Sequence, residues 1–197
     1  MYITLRLTKV LDENQPIEQA GFYSGYSTTD HIHTVNQLKE KCAEYQKPLC
    51  LAFVDFEKAF DSVDSKAILT SLEKQGIDKG YTDALAEIRN RASTVAMLHK
   101  ESNEIPIRKG VRQGDIISPK LFTATLEDLC RSFDWSNRGV SINGNKLSNV
   151  RFADDVTIIA QDLEELEIGL NELSVASMQH GLKINMAKHV TQRPVIV

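Results

Sequence analysis

What the chain lacks narrows the field first. No stretch approaches the ~20 consecutive apolar residues that span a bilayer, so no membrane segment is expected. Cysteine is scarce: Cys42, Cys50 and Cys130 are three in 197 residues, an odd number with no two spaced as a CxxC pair. That argues against a disulfide scaffold or a cysteine-rich zinc site and leaves reduced, mostly buried thiols of an intracellular protein. Residues 1–10 are too few and too polar for a signal peptide. Repeats, low-complexity tracts and Pro/Gly/Ser-rich linkers are missing too, and one domain over residues 1–197 is expected. There is also no surplus of positive charge: the net charge is −4 and the pI about 5.8. A basic footprint spread over the whole chain is therefore excluded, and any surface for a polyanion has to be local.

What is present is patterned. Hydrophobic residues make up 42% of the chain, enough for a real core. Residues 1–20 show little periodicity. From Ser27 the chain reads as a helix. Ser27 and Asp30 resemble a capping box, Ile32, Val35, Leu38, Cys42 and Tyr45 recur at helical spacing, and Pro48 ends it. Residues 49–54 form an apolar run closing on Asp55, as in a strand buried on both faces. Helices are expected over 64–75 and 81–92, a hairpin over 94–99 and 105–108, and a loop over 110–117. Ser118 then reads as a cap with Pro119 at the first helical position, and Leu121, Phe122, Leu126, Leu129 and Phe133 give that helix its apolar side. Asn143-Gly144 is a turn signal between strands over 140–143 and 146–153. Asp154-Asp155 interrupts two apolar runs, 150–153 and 156–160. The last helix spans 162–180, with Asp162 and Glu165 as its capping pair and Gly181 as its stop, and a strand over 182–185 follows. Helices packed on a largely antiparallel sheet make the class α+β.

The acids are where chemistry enters. Asp55 closes one buried strand, and Asp154-Asp155 stand between two others. Aspartate is rarely buried unless paired or metal-bound, and three acids at neighbouring strand ends repel one another. A hard divalent cation such as Mg²⁺ removes that conflict, and two such ions about 3.5–4 Å apart can clamp an in-line phosphoryl transfer. Read singly, Asp154-Asp155 is also a plain hairpin turn and Asp55 a strand-end or cap residue. The segment 108–119 adds three cations, two glycines that permit close backbone approach and a helix start, the elements of a nucleotide site. By itself it also reads as a solvated basic turn before a capped helix.

Several motifs occur in one order: Gln19-Ala20-Gly21-Phe22, Ser27 to Ile32, Phe53 to Val63, Gly110 to Phe122, Arg151-Phe152-Ala153-Asp154-Asp155, and Gly181 to Lys188. Over about residues 17–190 this series resembles the reverse-transcriptase domain of non-LTR (LINE-type) retrotransposons. The resemblance implies a fingers-palm core with no thumb and no endonuclease region, and RNA-directed DNA polymerase activity. Its cofactors would be two Mg²⁺ ions, with Mn²⁺ substituting. Its partners would be an RNA template, a DNA primer and deoxynucleoside triphosphates, and its location nuclear or cytoplasmic.

Residue by residue, the resemblance implies that Asp55, Asp154 and Asp155 are the catalytic metal ligands. Phe60 would exclude a ribose 2′-hydroxyl, though core packing also explains it. Arg112, Gln113 and Gly114 would meet the incoming nucleotide. Lys188 would protonate the leaving pyrophosphate, or is a surface lysine. Asp61 and Asn185 would be structural supports. The chain departs from the family where arginines are usual, at Tyr23 and Tyr26, and where Lys188-His189 replaces Lys-Thr. Those departures leave room for an inactive relic of the domain. An aspartyl-phosphate phosphatase would also end a buried strand on an acid, but it needs a second Asp where Glu57 stands. A nucleotide cyclase would lack the Phe152 to Asp155 hairpin.

Overall fold

The computed structural model describes residues 2–23, 25–98, 101–112, 114–135, 138–142, 144–185 and 190–192. In chain order these form α1 (Tyr2–Asn14), α2 (Thr28–Glu44), β1 (Cys50–Val54), α3 (Ala59–Ser62), α4 (Ser65–Lys74), α5 (Lys79–Asn90), β2 (Ser93–Leu98), β3 (Glu101–Pro106) and α6 (Ser118–Arg131). The remainder are β4 (Val140–Ile142), β5 (Asn145–Leu147), β6 (Asn149–Phe152), β7 (Asp155–Ala160), α7 (Leu163–Gln179) and β8 (Val190–Gln192). The class is α+β, as the pattern implied. Among the described residues, no helix is long and apolar enough to cross a membrane.

The centre is an antiparallel sheet in the order β6-β7-β1-β8. Alternation along β1 divides its side chains between two layers. Ala52 and Val54, with Val156 and Ile158 of β7, join a core that includes Ile68 and Leu72 of α4, Phe122 and Leu126 of α6 and Leu173 of α7. Leu51 and Ile159 face the other way and pack under Leu38 and Cys42 of α2. Thus α4, α6 and α7 line one layer, while α2 covers only part of the second. Phe53, on the α2 side and nearer the strand end, stays 38% exposed.

Helix α6 is buried nearly all round; only Pro119 and Arg131 of its residues escape burial. It therefore brings polar side chains into the interior that must find partners. Lys120 meets Asp12 of α1 in an ion pair. Asp128 accepts hydrogen bonds from Ser71 and Lys74 of α4, at 3.2 and 2.9 Å. Glu127 lies 3.2 Å from the Arg151 guanidinium of β6, with the two side chains only 3% and 5% exposed. Burial pushes the Glu127 carboxyl above its usual range and Arg151 draws it back. Both Glu127 oxygens lack a well-aligned hydrogen bond among the described residues, so the contact is a buried ion pair with incomplete hydrogen bonding.

Most expected elements are found, and the differences have causes. The segment thought poorly patterned contains α1, which rests on few apolar anchors, Leu7, Val10 and Leu11, spaced one turn apart. The second strand of the first hairpin is β3, four residues earlier than its apolar signal, because pairing with β2 draws the polar 101–104 into the ladder. The run 146–153 breaks at Ser148 into β5, which pairs β4, and β6, which pairs β7. Ile117, not Ser118, is the residue before α6. In place of a strand over 182–185 there is a single bridge, Ile184 to Phe56. The capping pair of α7 is present: Asp162 accepts from Glu165 N–H at 2.8 Å, and Glu165 accepts from the Gln161 and Gly139 N–H groups.

Breaking one side of a buried ion pair strands the other charge, whereas replacing both is far milder. Arg151→Met is expected to destabilise the fold by about 3–5 kcal/mol in urea unfolding. Adding Glu127→Leu to it should restore stability rather than lose more.

Candidate active site

The sheet register assembles the acids. Val54 of β1 pairs with Val156 of β7, and Phe152 pairs with Asp155 across the β6–β7 hairpin. One further step of the first register sets Asp55 across from Asp155. Alternation puts both on the face shared by Phe53 and Thr157, away from α4, α6 and α7. Asp154 sits in the hairpin turn. Asp55 and Asp154 are half-buried and Asp155 is exposed. The Asp55 carboxylate accepts from the Asn185 side-chain amide at 3.4 Å, and its carbonyl accepts from Asn185 N–H at 2.8 Å. Asn185 thus props Asp55 directly. Among the described residues no three His, Cys, Asp or Glu side chains are grouped so as to hold a metal ion. The acids are brought to one sheet end by the backbone, and their side chains are not drawn together as a ligand set.

A groove of about 400 Å³ runs along the same face, between α2 and the sheet, and Asp155 lines it together with His31, Ile32, Phe53 and Phe152. Burial lowers the His31 pKa, which Asp30 partly opposes and Arg151 reinforces, so this ring is neutral at neutral pH. It stands edge-on to Phe152 at 6.4 Å.

The glycine loop docks beside β1 through α3. Val111 N–H donates to the Phe60 carbonyl at 2.6 Å, and Gly110 N–H to the Val63 carbonyl at 2.8 Å. Gly110 has φ +78°, and a Cβ there would meet the Asp61 backbone at 2.7–2.9 Å, so this position demands glycine for both conformation and space. Arg89 of α5 grips the loop: its guanidinium donates to the Gly110 carbonyl at 2.6 Å and to Ser65 Oγ at 2.8 Å. Burial lowers its pKa and Asp64 counters. Phe60 is half-buried, stacked on Phe122 at 4.6 Å and edge-on to Phe22 at 6.2 Å. Its ring is therefore held at the rim of the core, which accommodates both readings of this residue. Arg112 is exposed and Gly114 adopts φ +85°. Gln113 and Lys188 lie outside the described residues. Tyr23 and Tyr26, at the usual arginine positions, contact each other edge-on at 5.4 Å, and the Lys120 ammonium lies 5.8 Å from the Tyr23 ring.

This arrangement was compared with known proteins. The family model described as reverse transcriptase (RNA-dependent DNA polymerase) matches residues 1–195. The chain belongs to the reverse transcriptase family. It is 30% identical over 176 residues to the Retrovirus-related Pol polyprotein from type-2 retrotransposable element R2DM of Drosophila melanogaster, covering 88% of this chain and 16% of that protein. It is 29% identical over 139 residues to the corresponding type-1 R2 polyprotein of Nasonia vitripennis, covering 70% of this chain and 14% of the relative. The chain thus spans about one-seventh of these relatives' length. Among solved structures, telomerase from Candida albicans, in complex with a TWJ fragment of telomeric RNA, superposes with TM-score 0.72 over 97% of this chain and 35% of that one, at 13% identity. Apo telomerase from Candida tropicalis truncated from its C-terminal domain gives 0.71 over 96% and 40%, at 14% identity. At such identities the likeness speaks for the reverse-transcriptase fold alone.

Within this reverse-transcriptase fold, three supports escaped the residue reading. Arg89 sits on an ordinary amphipathic helix and gives no local signal. Glu127 looks like a solvated helix residue until α6 proves to be central. Arg151 did carry a signal, a charge inside an apolar run.

Gly110→Ala is expected to cost about 1–3 kcal/mol, because it combines a left-handed backbone with a steric overlap. Thermal melting checks this; an unchanged melting temperature would mean that the loop does not sit against Asp61 as described.

Proposed function

We propose that this chain is the fingers-palm core of an RNA-directed DNA polymerase of the non-LTR retrotransposon kind, extending a primer 3′-hydroxyl with deoxynucleotides on an RNA template. The observation that carries the reading is the register. It brings Asp55 beside Asp155, with Asp154 in the adjoining turn, on the sheet face that the main helical layer leaves open.

The donor set fits divalent ions in kind: three carboxylates at one sheet end would supply hard oxygen ligands once a cation draws them together. Asp55, Asp154 and Asp155 would hold two Mg²⁺ ions, or Mn²⁺ in their place. When bound, the ions supply Lewis-acid activation of the attacking hydroxyl and neutralise charge on the transferred phosphoryl group. Asn185 orients Asp55 by donating to its carboxylate. The buried Arg151 fixes the strand that leads into Asp154.

The glycine loop serves the incoming nucleotide. Arg112 would offer a guanidinium for phosphate, Gln113 would line the incoming nucleotide, and Gly114 would let the backbone approach it without a side chain. Phe60, immobilised against Phe122, presents a hard edge against a ribose 2′-hydroxyl. Lys188 would deliver a proton to departing pyrophosphate. A primer–template duplex would lie along the open face of the sheet, beside Asp155. The base pair would supply the sequence information, while the protein reads backbone and shape.

Primer extension on oligo(dT)-primed poly(rA), with dTTP and either Mg²⁺ or Mn²⁺, tests the proposal. Wild type should extend. Asp154→Asn and Asp155→Asn should each lower the rate more than about a hundredfold, since even groups one shell out from a metal cost 10–100-fold. A folded wild type that never extends would leave this chain an inactive palm. In the same assay, Phe60→Ala should lower discrimination of dTTP over UTP at least about tenfold. Unchanged discrimination would return Phe60 to a packing role.

A further inference from the structure

The motif Gln19 to Phe22 has no part in the chemistry above, yet it lies against the hairpin that carries Asp154. Gln19 is only 2% exposed. Its side-chain oxygen accepts from the Ala153 N–H at 3.0 Å and from the Gly21 N–H at 2.8 Å, and its amide nitrogen donates to the Ala153 carbonyl at 3.3 Å. One primary amide therefore satisfies both backbone polar groups of the residue immediately before Asp154. The main chain reinforces the contact. Arg151 N–H donates to the Glu18 carbonyl at 2.7 Å, and Ala20 N–H to the Arg151 carbonyl at 3.0 Å.

Ala153 is held at φ +56°, a left-handed conformation that L-residues avoid and that persists only when surroundings over-determine it. Among the described residues, the Ala153 N–H has no hydrogen-bond partner besides Gln19. Gly21 allows the close approach: a Cβ there would lie 2.0 Å from the Ala153 nitrogen. The chemistry also explains an amide rather than an acid. A glutamate would accept both N–H groups but not donate to the Ala153 carbonyl, and it would bury a negative charge beside Asp154.

We infer that Gln19 is a positioning residue, whose amide locks Ala153 in the left-handed conformation and thereby sets where Asp154 and Asp155 present their carboxylates. This rests on the polymerase reading for its consequence, but its physical core is a contact within the metal-free chain.

The test is amide hydrogen exchange at Ala153, followed by NMR without metal or nucleic acid, in wild type, Gln19→Met and Gln19→Glu, beside the Mg²⁺ dependence of primer extension. In wild type the Ala153 amide should be protected; Gln19→Met, which offers no acceptor, should exchange at least about tenfold faster, the scale of one buried hydrogen bond, while Gln19→Glu, which still accepts this N–H, should keep its protection. Both variants should need several-fold more Mg²⁺ for half-maximal extension, with the KM for dTTP at saturating Mg²⁺ little changed. A wild-type Ala153 amide exchanging as freely as an open turn overturns the proposal even if neither variant folds. So does faster exchange with an unaltered Mg²⁺ dependence, which would reduce Gln19 to a residue that merely holds the fold. If wild type protects Ala153 and Gln19→Met does not, but no chain extends primers, the turn-locking role stands and the polymerase reading fails.

Discussion

The Glu127–Arg151 ion pair is the constraint on which the rest of the site hangs. Glu127 belongs to α6, the helix that begins as the glycine loop ends. Arg151 belongs to β6, the strand that leads into Asp154-Asp155. Their contact, closed off from water, makes the loop and the acid-bearing hairpin parts of one body. A buried pair with incomplete hydrogen bonding adds little net stability compared with an apolar substitute. What it does is forbid alternatives: neither charge tolerates losing the other, so α6 and β6 have one permitted alignment.

Around that pair the supports form a chain of local hydrogen bonds. Gln19 closes on the turn at Ala153, Asn185 on Asp55, and Arg89 on the carbonyl of Gly110. Each comes from a different part of the sequence, and each acts on a residue next to, or within, a group that the proposed chemistry would use. Precision at the site thus comes from neighbours that touch backbone and, at Asp55, the carboxylate itself. The open face follows from the same arrangement, because α4, α6 and α7 pack on the side where Ala52, Val54, Val156 and Ile158 point, and the acids fall on the other.

Much of this was legible in residues alone. The apolar run ending in Asp55, the split run around Asp154-Asp155, the capped helices α2 and α7 and the family motifs all rest on local patterns. Helix α1 was not legible, because it is stabilised by docking Leu7 and Leu11 into a core built by distant elements, and no capping signal marks its start. Polar strand β3 was missed for a similar reason, since pairing and not side-chain hydrophobicity makes it a strand. The partners of Gln19 and Glu127 lie 134 and 24 residues away respectively, and no periodicity encodes such contacts. In the site, positions could be named from the motif order, whereas what holds them in place required the packing.

The most direct measurement of the metal site is backbone cleavage by Fe²⁺ in place of Mg²⁺, with ascorbate and peroxide, mapped by mass spectrometry. Cuts clustered at Asp55 and at Asp154-Asp155, suppressed by added Mg²⁺ and lost together in Asp154→Asn, are the expected result. Cleavage scattered over the chain, or confined to sites away from this sheet end, would contradict the assignment of these three carboxylates as the metal-holding centre.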